Sequence, residues 1–505
     1  MYQIKSVQKS DDICFFYNNQ EFCYDRRMIK GLGFKWPVMW LFGLLLCASS
    51  FFLLFELGSF PLVDYDEAIY AQVISDTQNA GDFLTLRTPD GPWFQKPPLY
   101  FWLAMESEKF FGPSEFALRF PSAILGIAAI ILTCLIAFEL SSNTYIALIA
   151  GTILLTTGSF LEASRQLRLD VPVTTAILFA LYSFVRARKN QKWYLGVAIG
   201  IGIGVLFKSV IGIFVLPIIL IWSFFDKDWS WLKNKYLWYG IGLSFLIVLP
   251  WHVYETLKFG SSFWNEYLLL HVFERFGSDI NGGSTSNWQY VEYIFRYSFP
   301  WIFVFLGGGT WWFTRGQFFS NSTKRLFGIA ISVLFIFGIF LIAKTKIFYY
   351  VTPIFPLIAL FCALIAKEIY GFCKTEKQRA VVLVFGAILL VLGVVNTVYV
   401  GYHFQSDLAT NALIVHDEYE IGLWLKDHPQ PVEIRAFKYP YWDTVRYYSG
   451  RRNITLMQLD DTASQSFFMI IETYPYKQNP FPPMIMEHLN PIYEGDALTL
   501  LEFKP

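Results

Sequence analysis

For most of the first 400 residues, apolar runs of bilayer-spanning scale alternate with short polar breaks. Candidate helices fall near 36 to 57, 116 to 139, 144 to 162, 170 to 186, 193 to 207 and 209 to 225, then near 236 to 254, 296 to 314, 326 to 343, 349 to 368 and 380 to 402. That pattern predicts about eleven spans; the more polar stretch 58 to 115 has room for interfacial helices, which would take the count to about thirteen. From 403 to 505 the pattern changes. A helix-like EYEIGLWLKDH is followed by strand-like EIRAF, NITLM, FFMIIE and LTLLEF, which predicts a small α/β domain. The organisation expected is a polar segment 1–35, a membrane domain 36–402 with its first outer loop at 58–115, and a terminal domain 403–505.

Composition supports a protein dissolved in lipid: 54% of its 505 residues are hydrophobic, 16% are charged, and the mean hydropathy is +0.40. Aromatic residues make up 19%, enough for belts of Trp and Tyr at the headgroup level. The net charge of zero supplies no basic field for nucleic acid. Cys14, Cys23, Cys47, Cys134, Cys362 and Cys373 show neither a disulfide framework nor zinc-site spacing. The polar start lacks a signal-peptide pattern, so the first span is expected to remain as an anchor.

Positive charge resists translocation and so sets orientation. With the N-terminus inside, the inner stretches carry Arg26, Arg27, Lys30 and Lys35; Arg186, Arg188, Lys189 and Lys192; Lys227, Lys233 and Lys235; Arg315, Lys324 and Arg325; and Lys367, Lys374, Lys377 and Arg379. Outside then fall 58 to 115, 163 to 169, the turn at Lys208, 255 to 295, 344 to 348 and everything after about 402. The Gly/Ser-rich GSDINGGSTSNW at 277 to 288 is the expected mobile loop of that face.

The candidate chemistry sits in those outer loops. Asp64, Asp66 and Glu67 crowd the membrane edge, with Tyr70 one turn on; acidic residues at a helix start also serve the helix dipole. Lys96 precedes Pro97 and Pro98, which keep it out of a helix interior; a snorkelling lysine is the structural alternative. Asp170 opens a span with Pro172 just inside it, and a helix cap is the alternative there. Lys208 interrupts an apolar stretch with no nearby acid in sequence. Asp66, Lys96, Asp170, Lys208, His271 and Arg275 come from separate loops yet share one face, which unrelated caps would not do. Gly196, Gly200 and Gly204 read as helix packing rather than a phosphate cradle.

Taken together, DYDEAIYAQV, FQKPPLYFWLA, EFALRFPSAILG and ASRQLRLDVP resemble the bacterial dolichyl-phosphate-mannose-type and aminoarabinose-transferase-like glycosyltransferases of the GT-C class, over roughly residues 60 to 370. The resemblance implies a mainly α, polytopic GT-C fold with a small extracytoplasmic α/β domain, in a bacterial inner membrane with the site facing the periplasm or exterior. By the same resemblance Asp66 and Asp170 are the catalytic aspartates. Glu67, Tyr70, Lys96, Arg119, Lys208, His271, Arg275 and Tyr350 would contact substrate. Some relatives use a glutamate before the KPP lysine as a metal ligand; this chain has Gln95, so a divalent metal is left as the one cofactor to test.

The activity expected is inverting transfer of a monosaccharide from a polyprenyl-phosphate carrier to lipid A, another glycan or protein. Asp66 would take the acceptor's proton, Asp170 would orient, and Lys96 and Lys208 would meet the departing phosphate. The 277 to 288 loop would close over the site. A transporter or lipid flippase, or a non-catalytic scaffold, are the rival readings. The first predicts polar residues through span centres, whereas most charges here lie at span ends.

Overall fold

The computed structural model describes residues 12–17, 20–25, 36–63, 66–278, 286–314, 321–430, 432–437, 443–451, 454–456, 466–478, 481 and 483–505. Asp64, Tyr65 and positions 279–285 of the expected mobile loop lie outside the described residues, as does most of 1–35.

After a hairpin of β1 (Asp12–Tyr17) and β2 (Gln20–Asp25), the chain enters α1 (Trp36–Leu54). The following loop holds α2 (Asp66–Ala80), the short strands β3 (Arg87–Thr88) and β4 (Gly91–Pro92), and α3 (Leu99–Phe111). Then come α4 (Glu115–Ser141), α5 (Thr144–Leu155), α6 (Gly158–Ser164), α7 (Asp170–Ala187), α8 (Tyr194–Lys208), α9 (Val215–Asp226) and α10 (Lys235–Phe259). The rest of the bundle is α11 (Asn287–Tyr297), α12 (Trp301–Thr314), α13 (Asn321–Ile342), α14 (Ile354–Phe372) and α15 (Glu376–Asp427).

Local chemistry sets several of these starts. Ser114 accepts from Ala117 N–H at the head of α4, Asn143 caps α5, Asn234 caps α10, and Thr375 with Gln378 forms a capping box for α15. The small residues of α8 let it lie against α7: a Cβ on Gly200 would stand 2.8 Å from Ala180 Cβ, so packing is their use. α8 ends at Ser209, whose φ of +45° breaks the helix; the chain then folds back until Gly212 abuts Gly204. This reversal leaves Lys208 at one tip of the bundle.

Among the described residues, seven helices are long and apolar enough to cross a membrane, or eight if α5 and α6, bent by 71°, form one broken span. This is fewer than the eleven apolar runs, for two reasons. Trp301–Thr314 and Val38–Leu54 are apolar but short, and the runs at 193 to 207 and 209 to 225 fall within one segment, Gln191–Asp226, that reverses at Ser209. α7 is the innermost span, with 83% of its apolar window buried; the first half of α15, at 11%, lies on the lipid side. The protein is integral to a membrane.

α15 runs without interruption into the terminal domain, where α16 (Asp443–Ser449) and β5 (Glu433–Ala436), β6 (Ile454–Leu456), β7 (Phe467–Glu472), β8 (Leu489–Glu494) and β9 (Leu498–Phe503) follow. The sheet order is β6-β5-β7-β9-β8, parallel among β6, β5 and β7 and antiparallel beyond. Its two faces bury separate cores, Ile421 and Leu425 of α15 on one and Phe437, Met469 and Phe481 on the other. α16 packs on α2, which carries Asp66.

Candidate active site

The motifs are joined to one another behind the site. Glu67, 2% exposed, accepts Nε and Nη2 of Arg119 at 2.9 and 2.8 Å and the N–H groups of Val63 and Leu167 at 3.1 and 2.7 Å. Arg119 donates further to the carbonyls of Leu57, Phe60 and Pro61 at 3.2, 2.7 and 2.9 Å. The substrate contacts expected of Glu67 and Arg119 are therefore corrected: both groups are consumed internally, and the pair clamps α2, α4 and the loop before α7 together. Tyr100, from the KPPLY run, lies 2.8 Å from Ser122 Oγ, which donates to the Arg168 carbonyl at 3.0 Å.

Successive side chains on a helix diverge by about 100°, so Asp66 turns away from its neighbour Glu67 toward open space. Its carboxylate is 33% exposed and accepts Nη1 of Arg168 at 2.8 Å. Tyr70, one turn along, is buried against Trp93 and Phe101. Asp170 opens α7, but its side chain does not cap the helix. It pairs with Lys208 Nζ at 2.5 Å, across 38 residues of sequence. The lysine therefore does not snorkel; it sits 4.8 Å from the ring centre of Tyr350.

Arg275 reaches the same place because Lys344 and Thr345 N–H donate to the carbonyls of Phe276 and Arg275, at 3.0 and 3.1 Å. Arg275 Nη1 then donates to the Tyr350 hydroxyl at 3.0 Å. His271 lies on the π-helical stretch Asn265–Glu274 just before it. Arg275 Nε and His271 Nδ1 are buried and have no hydrogen-bond partner among the described residues.

Charge binds the cluster into one unit. Burial alone would raise the Asp66 carboxyl, but Arg168, Lys96, Lys208 and Arg275 outweigh it and hold it below its ordinary value. Lys96 is pulled down to about 7 by burial, helped by Arg275 and Lys208 and opposed by Asp66 and Asp170. Burial, Lys96 and Arg275 push His271 down to about 3, so its ring is neutral near pH 7. Burial pushes Tyr350 up to about 12, leaving it a hydroxyl that can donate. The result is two carboxylates beside an excess of cations, a cradle for a further anion.

Arg168 and Tyr349 join this constellation without having been singled out by sequence. The Arg168 guanidinium stacks 3.7 Å from the Tyr349 ring centre and donates to Gln166 Oε1 at 2.6 Å, and the Tyr349 hydroxyl donates to Glu162. Their signal was the second arginine of RQLRLD and the doubled tyrosine of FYYV, both beside residues already chosen. A divalent metal does not fit here. Gln95 is a neutral amide, and among the described residues no group of three or more His, Cys, Asp or Glu side chains converges to hold an ion.

The architecture matches solved structures. It superposes on ArnT from Cupriavidus metallidurans bound to undecaprenyl phosphate with a TM-score of 0.70, at 16% identity, over 91% of this chain and 97% of that one. It also matches the Archaeoglobus fulgidus oligosaccharyltransferase with a TM-score of 0.58, at 13% identity, over 83% of this chain and 64% of that one. The fold is that of the GT-C glycosyltransferases. In sequence, residues 95–254 match the family described as dolichyl-phosphate-mannose-protein mannosyltransferase. The undecaprenyl phosphate-alpha-4-amino-4-deoxy-L-arabinose arabinosyl transferase of Enterobacter sp. (strain 638) is 25% identical over 64% of this chain and 59% of its own length. Its counterpart in Pectobacterium atrosepticum is 27% identical over 62% of this chain and 56% of its own. The matched region thus spans under two thirds of these relatives. In fold and in sequence the chain is thus similar to GT-C glycosyltransferases of the aminoarabinose-transferase and protein-mannosyltransferase type.

Proposed function

We propose that this protein transfers a monosaccharide from a polyprenyl-phosphate carrier to an acceptor hydroxyl, with inversion, at the periplasmic face of a bacterial inner membrane. The observation that carries the reading is the partly exposed Asp66 carboxylate set among Arg168, Lys96, Lys208 and Arg275. Relatives that act on an undecaprenyl phosphate-linked aminoarabinose make a carrier of that type the first donor to test, and lipid A, another glycan or protein the acceptors.

In the proposed step, Asp66 takes the proton of the acceptor hydroxyl as its oxygen forms a bond to the anomeric carbon. The bond from that carbon to the phosphate oxygen breaks, and its electron pair leaves with the carrier. Lys96, Lys208, Arg275 and the Tyr350 hydroxyl face the growing negative charge, in positions fixed before the reaction begins. Asp170 holds Lys208 in place and so acts as a positioning residue. A base held below its ordinary pKa is a weak one, and the substrate corrects this. Once a phosphate shares the cations that depress Asp66, the carboxyl rises toward its usual value.

The transporter reading loses ground because the charges gather at the ends of the bundle rather than along a passage. The test is mass analysis of products formed by the purified enzyme from a panel of polyprenyl-phospho-sugars. Glycosylated acceptor and free polyprenyl phosphate are expected, and Asp66→Asn should abolish both while still inserting in the membrane. An active Asp66→Asn enzyme, or solute passage without bond cleavage, would overturn the reading.

A further inference from the structure

The end of the bundle away from the active site holds a second polar cavity that the transfer reaction leaves unused. α7 runs from Asp170 in the active site to Ala187, a length of about 26 Å, roughly the thickness of a bilayer core. Beyond its far end opens a cleft of 390 Å³ lined by Arg188, Gln191, Tyr194, Asp226, Lys324 and Arg325 among others.

Three cations, Arg188, Lys324 and Arg325, face two carboxylates, Asp226 and Asp228, in that lining. Arg188 is ion-paired with Asp226, and Asp228 accepts the N–H and hydroxyl of Ser230 at 3.1 and 2.6 Å. Arg325 Nη1 donates to the Leu140 carbonyl at 2.8 Å. Lys324 has no ion-pair partner among the described residues, so the cleft carries one positive charge in excess.

A small enclosed pocket continues inward from it, sharing Arg188, Asp226, Lys324 and Arg325 and ending on Trp222 and Gly328. Trp222 is 6% exposed, yet its indole N–H has no acceptor among the described residues. The pyrrole edge of that indole lies close over Gly328, where a Cβ would stand 3.2 Å from Trp222 Cδ1. A buried donor without an acceptor costs stability, so it points to a ligand oxygen, met directly or through one water. Trp229, between the lining residues Asp228 and Ser230 in sequence, and Trp238 are exposed, as tryptophans at a headgroup layer are.

We propose that this cleft binds the phosphodiester of an anionic phospholipid in the leaflet opposite the active site. A basic pocket between spans is the form such headgroup sites take. Lys324 and Arg325 meet the phosphate oxygens, the Trp222 N–H is satisfied from beneath, and the acyl chains lie along the apolar outer faces of α9 and α13. The bound lipid then bridges α7, α9 and α13.

The test uses the full-length protein purified in a delipidating detergent and examined by native mass spectrometry. It is then reconstituted in nanodiscs of phosphatidylcholine with or without a minority of phosphatidylglycerol. Retained phosphatidylglycerol adducts and a higher melting temperature in its presence are expected. Lys324→Ala should cut adduct retention by about fivefold. Trp222→Phe, which keeps the ring but removes the donor, should lower retention as well. Lys233→Ala, an exposed cation outside the cleft, should leave it unchanged. Equal retention by Lys324→Ala and wild type, or an equal loss in Lys233→Ala, would overturn the proposal. So would equal stabilisation by inorganic phosphate alone, which would assign the cleft to a soluble anion.

Discussion

Arg168 Nη1 stands 2.8 Å from Asp66 Oδ2, although 102 residues separate the two in sequence. The arginine is held from three sides: by the Tyr349 ring, by Gln166, and through its own carbonyl by Ser122. It therefore fixes the orientation of Asp66 and contributes the largest of the electrostatic effects that depress its carboxyl. Replacing it by methionine keeps the length but removes the charge. We expect the acid limb of kcat/KM for Arg168→Met to move to higher pH, and kcat to fall because the carboxylate loses its aim. An acid limb that stays put would mean that Asp66 does not titrate in the reaction.

Lys96 gives the opposite limb. Its ammonium is destabilised by burial and by Arg275 and Lys208 until it titrates at about 7. Below that pH it is charged and meets the carrier phosphate; above it, the cradle loses one cation. In the free enzyme kcat/KM should therefore decline as pH rises through about 7. A bound phosphate raises the lysine again, so kcat should hold to higher pH. Lys96→Arg stays charged throughout, and its kcat/KM profile should lose this limb. A pH series on both enzymes with one donor checks the expectation, and an unchanged limb in Lys96→Arg would assign it to another group.

The adjacent acids of α2 should separate cleanly on mutation. Glu67 holds Arg119 and the Leu167 N–H in a buried pair, and removing one partner strands the other. Glu67→Ala should cost about 3 to 5 kcal/mol of stability, seen as a lower melting temperature in detergent. Asp66→Asn should melt close to wild type and show no transfer. Similar melting temperatures for the two variants would argue against the clamp.

That division also marks where sequence reading reached its limit. The gathering of Asp66, Asp170, Lys96 and Lys208, and the EIRAF, NITLM, FFMIIE and LTLLEF strands, were legible because apolar period and charge placement are local signals. The helical phase of two neighbouring acids was not, since the direction of α2 relative to the cavity depends on Arg119, 52 residues on. Arg168 was missed for a like reason: Arg165 and Arg168 look equivalent in RQLRLD, and only the fold sends one to Asp66 and the other to the carbonyls of Phe52 and Phe55. β8, with Asn490 and Pro491 inside it, carried no alternating pattern to read. The short, broken helices blurred the span count because apolar composition does not report where a helix bends.

Besides the packing of α16 on α2, one hydroxyl of the terminal domain ties down the entry to that helix. Tyr448 of α16 donates to Glu115 Oε1 at 2.7 Å and accepts the Leu62 N–H at 2.9 Å. Leu62 lies four residues before Asp66, and Glu115 is the first residue of α4, which carries Arg119. The hydroxyl thus ties the entry of α2 to the start of α4. Tyr448→Phe removes it without changing the ring and leaves both partners unsatisfied, at a cost of about 1 to 3 kcal/mol. Since Tyr448 touches none of the cavity residues, KM for the carrier should not change. Looser placement of Asp66 should lower kcat by about tenfold. Steady-state kinetics alongside a melting curve separate these effects: a raised KM with unchanged kcat would place Tyr448 in acceptor or carrier binding instead.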